Sequence, residues 1–386
     1  MSLPVSTALI SGKLTVGAAP LPIVHLLRAV GSHLIVWHHL AFYGPISDTA
    51  YTISPALFDW LVNYARMAVQ VFFVLGGFVA ARKLNRPQRW TAKILGSEIL
   101  ARYRRVGIPY LAALVVAVLA NEVARRTLDH ESISAPPSIV QLAAHAFFLQ
   151  DLLDYEPLTA GIWYLAVDFQ LGLLVLLILA ACQRLRGANQ RDPEAGFRLA
   201  QWIFWPMATA SLWWLNRQEQ FDSFAVYFFG SYFGGMVAAW ALDGRLPKKA
   251  LWAYGGLVAG ALVLDWRPRL LVALMTVLAI SLAELTRETR SEWSSRVWGV
   301  ARYWGERSYS LFLVHFPVCL VVTAFFAEYV VDRPHAALGV LVLEYSLSLI
   351  AAVAFYQLIE RQILRALSQR RARTAAAPMN SAGQAV

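Results

Sequence analysis

Ten apolar windows limit how this chain can fold. Each holds 15 to 23 residues, and short polar segments separate them between residues 23 and 358. Because a helix rises 1.5 Å per residue, about 20 apolar residues cross the roughly 30 Å hydrocarbon core of a bilayer. The pattern therefore predicts an all-α, polytopic transmembrane helix bundle of about ten spans. The windows are 23–42, 60–81, 106–123, 163–182, 199–216, 223–242, 250–264, 270–285, 308–327 and 336–358.

Composition agrees with a membrane protein and not with a soluble one. Of 386 residues, 58% are hydrophobic and 15% are charged, and the mean hydropathy is +0.50. We interpret residues 1–360 as a single transmembrane domain and residues 361–386 as a basic, disordered cytoplasmic tail. The net charge of +10 lies in loops and in this tail, so anionic lipid explains it better than nucleic acid. Both cysteines, Cys182 and Cys319, lie in apolar windows, which argues against disulfides and metal sites.

The charges between the windows predict the topology. Residues 81–105 carry eight basic residues and one acid, and residues 361–386 carry five arginines and no acid. Both segments are therefore expected in the cytoplasm. Residues 150–162 carry three acids and no basic residue, which places them outside. The apolar piece 138–150 is then an interfacial or re-entrant segment, not a span, and both termini are cytoplasmic.

Ionisable residues interrupt three of the apolar windows. Arg28 and His39 lie in the first window, eleven residues or about three helical turns apart, and differ by only about 20° around the axis. Asp168 interrupts the fourth window and His315 the ninth. Such residues are costly at membrane depth unless they face a polar cavity or snorkel to the interface, and they are functional candidates. Because these ionisable residues occur in three separate spans, we expect them to face one shared polar cavity. Three further histidines of the first span lie on other faces: His25, His33 and His38.

Six motifs, spread over most of the chain, carry a family resemblance. In order, they resemble the signatures of the acyltransferase 3 family, bacterial membrane acyltransferases that modify sugars of surface polysaccharides and antibiotics. The first pairs an arginine with a histidine across ten intervening residues, and this selects Arg28 and His39. The motifs are "LRAVGSHLIVWHH", "VFFVLGGF", "RYRRVGIPY", "WYLAVDFQ", "ERSYSLFLVHFPV" and "YQLIERQI".

Three positions depart from the family pattern. Gly76 stands where the family usually has serine, and Asp168 stands where it usually has glutamate. Asp168 is one methylene shorter, so its carboxylate reaches less far. Gln70 replaces an acid, so a charge partner found in the family is expected to be missing here.

The resemblance implies an acyl-CoA dependent O-acyltransferase in the bacterial inner (cytoplasmic) membrane. The donor substrate would be acetyl-CoA or another acyl-CoA from the cytoplasm, and the acceptor a sugar hydroxyl of an exported or lipid-linked glycan, with no metal. Imidazole titrates near neutrality, so His39 is the expected general base. Asp168 is expected to orient His39, and Arg28 either to hold CoA or to polarise the thioester carbonyl.

A donor mouth is expected where the basic loop enters the third window. The phosphates of CoA need several cations, and guanidinium groups pair with phosphate through two hydrogen bonds. Arg102, Arg104 and Arg105 are the candidates, with positive-inside anchoring as the alternative. Further residues expected along the donor channel are Ser308, Tyr309 and His315.

Two other classes fit parts of the same pattern. Buried charge in a ten-span protein also describes a transporter or flippase for a lipid-linked sugar. Polar residues in spans also serve helix packing in assembly proteins. Consumption of acyl-CoA distinguishes the enzyme from both.

Overall fold

The protein is described by a computed structural model that covers residues 22–84, 90–186, 194–285 and 295–376. Within these ranges the chain is helical and contains no strand, which confirms the all-α fold class. A π-helical turn at Tyr356–Glu360 connects the last two helices. The helices are α1 (Pro22–Phe42), α2 (Ile46–Tyr51), α3 (Pro55–Asn63), α4 (Ala68–Leu84), α5 (Ala92–Ala124), α6 (Ile139–Ala146), α7 (Ile162–Arg186), α8 (Ala195–Trp213), α9 (Ala225–Leu242), α10 (Lys249–Leu264), α11 (Pro268–Leu285), α12 (Ser295–Phe326), α13 (Pro334–Phe355) and α14 (Arg361–Ala376).

Every predicted window coincides with helix, but the windows differ in how well they suit a bilayer. In the described part of the chain, six helical segments are long and apolar enough to cross a membrane. α1 is not among them because Arg28 and four histidines lower its mean hydropathy. The count of about ten spans and the cytoplasmic termini stay predictions. The six segments are Pro55–Leu84, Ala92–Ala124, Ile162–Arg186, Ala225–Leu242, Arg296–Phe326 and Pro334–Gln369.

Two segments that were predicted not to span the membrane, 138–150 and the C-terminal tail, also contain helices. α6 has eight residues and rises only about 12 Å, so it is too short to cross the bilayer, as predicted for 138–150. Arg361–Ala376, which belong to the tail predicted to be disordered, form α14, and the cytoplasmic tail stays a prediction. α14 continues the helical path of α13 through the π-helical turn. Residues 377–386 of the tail and 85–89 of the basic loop lie outside the described residues.

Glycines allow α4 and α9 to pack backbone against backbone. A Cβ at Gly77 would overlap the carbonyl oxygen of Tyr232, and a Cβ at Gly235 would overlap that of Val74. α9 is buried along most of its length as a result. This contact places Tyr232 at the centre of the bundle, where it reaches the polar site described below.

Gln70, the residue that replaces a family acid, is part of the same interface. Its side chain is buried, and its Oε1 accepts a hydrogen bond of 2.8 Å from Ser231 Oγ on α9. A neutral amide satisfied by a hydroxyl needs no counter-charge.

Candidate active site

His39 and His315 form a directly bonded histidine pair between α1 and α12. His39 lies in the last turn of α1, and His315 lies midway along α12. His39 Nδ1 is 2.7 Å from His315 Nε2, and the two rings stack with centroids 5.0 Å apart at an interplanar angle of 16°. His315 is fully buried and His39 is 8% exposed. Both side chains therefore face the interior of the bundle.

The hydrogen bonds define the tautomers of the two neutral rings. His315 Nδ1 is 3.1 Å from the Leu311 carbonyl oxygen, which can only accept, so Nδ1 carries the proton. His315 Nε2 then accepts from His39 Nδ1–H. This leaves a lone pair on His39 Nε2, which makes no hydrogen bond with the described residues. A ring held through one nitrogen, with the other unprotonated, has the form of a general base.

The structure does not bring Asp168 to His39. His39 Nδ1 is bonded to His315, whereas the Asp168 carboxylate is bonded to Arg102. The assignment of His315 to the donor channel stays a prediction. Separate sequence motifs contain the two histidines, and neither motif predicts a contact between residues 276 positions apart.

Gly161 brings the loop before α7 directly against the histidine pair. Its φ of +77° is a conformation that side-chain-bearing residues rarely adopt. A Cβ here would also lie 3.0 Å from His39 Cε1 and 3.1 Å from Phe312 Cε2. The loop can approach the ring of His39 this closely because residue 161 is glycine and has no Cβ. Sequence reasoning missed this residue, although Gly-Ile-Trp at the start of the fourth window was its signal.

A second polar centre is formed by Arg102 of α5 and Asp168 of α7. Arg102 Nη2 donates to Asp168 Oδ2 at 2.9 Å and to the Asp168 carbonyl oxygen at 2.6 Å. The guanidinium lies against α7 at Gly172, where any Cβ would overlap it. A Cβ at Gly76 would lie 2.5 Å from Asp168 Oδ1 and 3.1 Å from the ring of Tyr232. The carboxylate therefore occupies the space that the family's serine side chain would need.

Further charges surround this pair. Arg28 is in electrostatic range of Arg105, Asp168, Glu360 and Tyr164. Glu360 is buried, and its Oε2 accepts a 2.5 Å hydrogen bond from Ser310 Oγ. The π-helical turn of which Glu360 is the last residue turns it inward, and such turns are frequent at functional sites.

We name this group the inner charge cluster. Its three arginines face two carboxylates, so its formal charge is +1. Glu360 appears in the last sequence motif, but its place in the cluster depends on the π-helical turn and could not be predicted. The cluster consists of Arg28, Arg102, Arg105, Asp168 and Glu360.

The other residues expected at the donor mouth or along the donor channel lie outside the inner charge cluster. Ser308 Oγ donates to the Gly305 carbonyl of its own helix at 3.0 Å. Tyr309 Oη donates to the Val106 carbonyl at 2.7 Å and so ties α12 to α5. Both hydroxyl groups donate to backbone carbonyls, and their assignment to donor binding stays a prediction. Arg104 is half-buried and lies on a different face of α5 from the Arg102–Asp168 pair.

The two polar centres lie at different depths. Arg28 and His39 are eleven residues apart on one helix, which separates their Cα atoms by about 16 Å along the axis. The histidine pair is near the end of α1 expected outside, and the inner charge cluster is near the end expected in the cytoplasm. A group of three or more potential metal ligands does not occur among the described residues.

One known protein family matches most of the chain. A family model described as an acyltransferase domain matches residues 21–361 and so covers both polar centres. Together, the apolar helices and this match define a membrane acyltransferase. The chain belongs to the acyltransferase 3 family. No curated protein and no solved structure matches the chain.

Proposed function

We propose that this protein is a multi-pass enzyme of the bacterial inner membrane that moves an acetyl or other short acyl group from acyl-CoA to a sugar hydroxyl. The acceptor would belong to an exported or lipid-linked glycan. The observation that supports the chemistry is the state of His39, whose Nδ1 is bonded to His315 and whose Nε2 is left unbonded by the described residues. A transferase that activates an alcohol needs a base of this form.

The reaction follows from this geometry. His39 Nε2 takes the proton of the acceptor hydroxyl as its oxygen attacks the thioester carbonyl carbon. The new C–O bond forms, the C–S bond breaks, and the imidazolium returns the proton to the leaving thiolate of CoA. His315 Nε2 accepts from the His39 Nδ1–H throughout, so it stabilises the positive charge on His39 between the two proton transfers.

The inner charge cluster is proposed to hold the phosphates of CoA. Its net positive charge matches an anionic ligand, and Arg28 lies within range of Arg105. The Cα atoms of Arg28 and His39 are about 16 Å apart along the helix axis, which supports donor anchoring over carbonyl polarisation as the role of Arg28. Arg28 is therefore assigned to anchoring the donor.

Arg102 is assigned a positioning role in this scheme. Its guanidinium is bonded twice to Asp168, so it has less capacity left for phosphate than Arg28. Asp168 keeps Arg102 at the wall of the cluster, and Gly172 and Gly76 leave the space for that pair. Asp168 is therefore proposed to position Arg102 and not to orient His39.

The test uses purified protein in nanodiscs with radiolabelled acetyl-CoA and a panel of membrane glycan extracts as acceptor. We expect release of free CoA thiol together with label in an alkali-labile ester of the extract. A flippase or a packing protein consumes no acetyl-CoA. Absence of both thiol and ester with every acyl-CoA and every extract would overturn the proposal.

A further inference from the structure

A groove between α1 and α12 lies on the opposite side of α1 from the inner charge cluster. It encloses about 580 Å³, within the range of small-molecule sites. Ala29 and Ala301 are its most buried lining residues, whereas Val30 and Val300 are exposed. Its lining is almost wholly apolar: Leu26, Ala29, Val30, His33, Leu34, Trp37, Arg296, Val297, Val300, Ala301 and Trp304.

The α1 side of the groove has the length of one bilayer leaflet. It runs from Leu26 to Trp37, eleven helical steps or about 16 Å. Half of a hydrocarbon core of roughly 30 Å is about 15 Å. A ligand lying along the α1 side would therefore span about one leaflet.

The polar end of the groove carries a cation. Arg296 is the second residue of α12, is exposed, and forms no ion pair with the described residues. It is also in the first turn of a 32-residue helix, where the backbone N–H groups favour an anion. At the opposite end, the rings of Trp37 and Tyr345 lie with centroids 4.8 Å apart in a tilted arrangement, so an aromatic pair borders the deep end.

We propose that this groove binds an anionic phospholipid of the cytoplasmic leaflet. One acyl chain would lie between α1 and α12, and the phosphate would contact Arg296. A basic residue near an anionic leaflet is worth about 1 kcal/mol, or about a fivefold preference over a zwitterionic lipid. The inference does not rest on the proposed acyl transfer, because none of the groove's residues belongs to the histidine pair or to the inner charge cluster.

A lipid chain fits the groove better than a helix from a second copy of the protein. A helix with side chains is about 10 to 12 Å across, so three turns of it exceed the volume of the groove at least about twofold. An extended chain is narrow enough to lie along its full length. The floor residues Ala29 and Ala301 are small, which deepens the groove without widening it.

The test is native mass spectrometry of the full-length protein after equilibration with equimolar dioleoyl-phosphatidylglycerol and dioleoyl-phosphatidylcholine. Wild type should retain one phosphatidylglycerol with about fivefold preference. Val300→Trp should lose this lipid because the indole fills the groove. Arg296→Gln should retain a lipid but lose the preference for phosphatidylglycerol.

Matched controls use equivalent positions outside the groove. Val263→Trp adds the same side chain at an exposed site on α10, and Lys248→Gln removes a cation just before the start of α10. Both should behave as wild type. Equal retention by the Val300→Trp and Val263→Trp variants, or no headgroup preference in wild type, would overturn the proposal. Loss of a dimer peak in Val300→Trp would assign the groove to a second copy and contradict it equally.

Discussion

At the scale of single residues, the sequence predicted which polar side chains lie inside the bundle but not which of them bond to each other. The motifs identified His39, His315, Arg28 and Asp168 as polar residues in apolar helices, and all four face the interior or an interior cluster. Their pairing could not be predicted, because it depends on which faces of distant helices meet. The shorter Asp168 was expected to serve His39, but it is paired with Arg102.

His315 is predicted to act on turnover through His39 and not on donor binding. His315→Ala removes the acceptor of the His39 Nδ1–H, so His39 loses its orientation and the partner that stabilises its charged form. We expect kcat to fall about 100-fold, in the usual range for a disturbed acid–base step, with the KM for acyl-CoA within about threefold of wild type. Steady-state kinetics on the purified protein measures both. A rise in KM without loss of kcat would return His315 to the donor channel.

Gly76 is predicted to be necessary for the position of Asp168. Gly76→Ala places a Cβ 2.5 Å from Asp168 Oδ1, so the carboxylate must move and Arg102 with it. We expect the KM for acyl-CoA to rise about tenfold and unfolding to be easier by about 1 to 3 kcal/mol. Gly256→Ala is the matched control, because nothing lies within 4 Å of its added Cβ. Equal kinetics for the two variants would contradict this role.

At the scale of helices, hydropathy predicted which parts of the sequence form helices but not the contacts and turns that connect these helices. The close approach of α4 and α9 depends on Gly77 and Gly235, each of which faces a backbone carbonyl. The π-helical turn at Tyr356–Glu360 has no distinct sequence signal, yet Glu360 joins the inner charge cluster through it. α14 was missed because its composition is that of a basic tail.

α6 is attached to the bundle by a buried histidine, and this attachment is predicted to depend on pH. His145 Nδ1 is 3.0 Å from the Tyr110 hydroxyl, and Nε2 donates to the Glu156 carbonyl oxygen at 3.3 Å. Burial lowers the pKa of His145 below its ordinary value. The unfolded chain then binds the proton more tightly, so stability falls as pH drops below about 6.5.

The measurement is the Tm of wild type and of His145→Gln between pH 7.5 and 5. Wild type should lose more stability over this interval than His145→Gln, which has no titrating group at this position. Exposed His335 on α13 provides the control substitution to Gln, which should leave the pH dependence of wild type unchanged. Identical pH slopes for wild type and His145→Gln would show that His145 does not carry the effect.

At the scale of the whole molecule, the charge pattern predicts an even number of crossings with both ends inside. Glu156→Cys lies in the acidic segment and Ser368→Cys lies on α14, and both positions are exposed. The native Cys182 and Cys319 are buried and free, so they should react slowly. An impermeant maleimide added to intact cells should label position 156 and should label position 368 only after permeabilisation. The reverse pattern would place the inner charge cluster on the wrong side for cytoplasmic acyl-CoA.

The central claim is that His39 is the base for acyl transfer within one polar interior. The most direct measurement is transfer of label from radiolabelled acetyl-CoA into extractable glycan by membranes that contain equal amounts of wild type, His39→Ala or His38→Asn. His38 is the matched neighbour, because its Nδ1 contacts the Leu61 carbonyl at 3.1 Å and asparagine keeps a donor there. Transfer by wild type and His38→Asn, with at least about a 100-fold loss in His39→Ala, is the predicted result. Transfer by His39→Ala at the wild-type rate would contradict it.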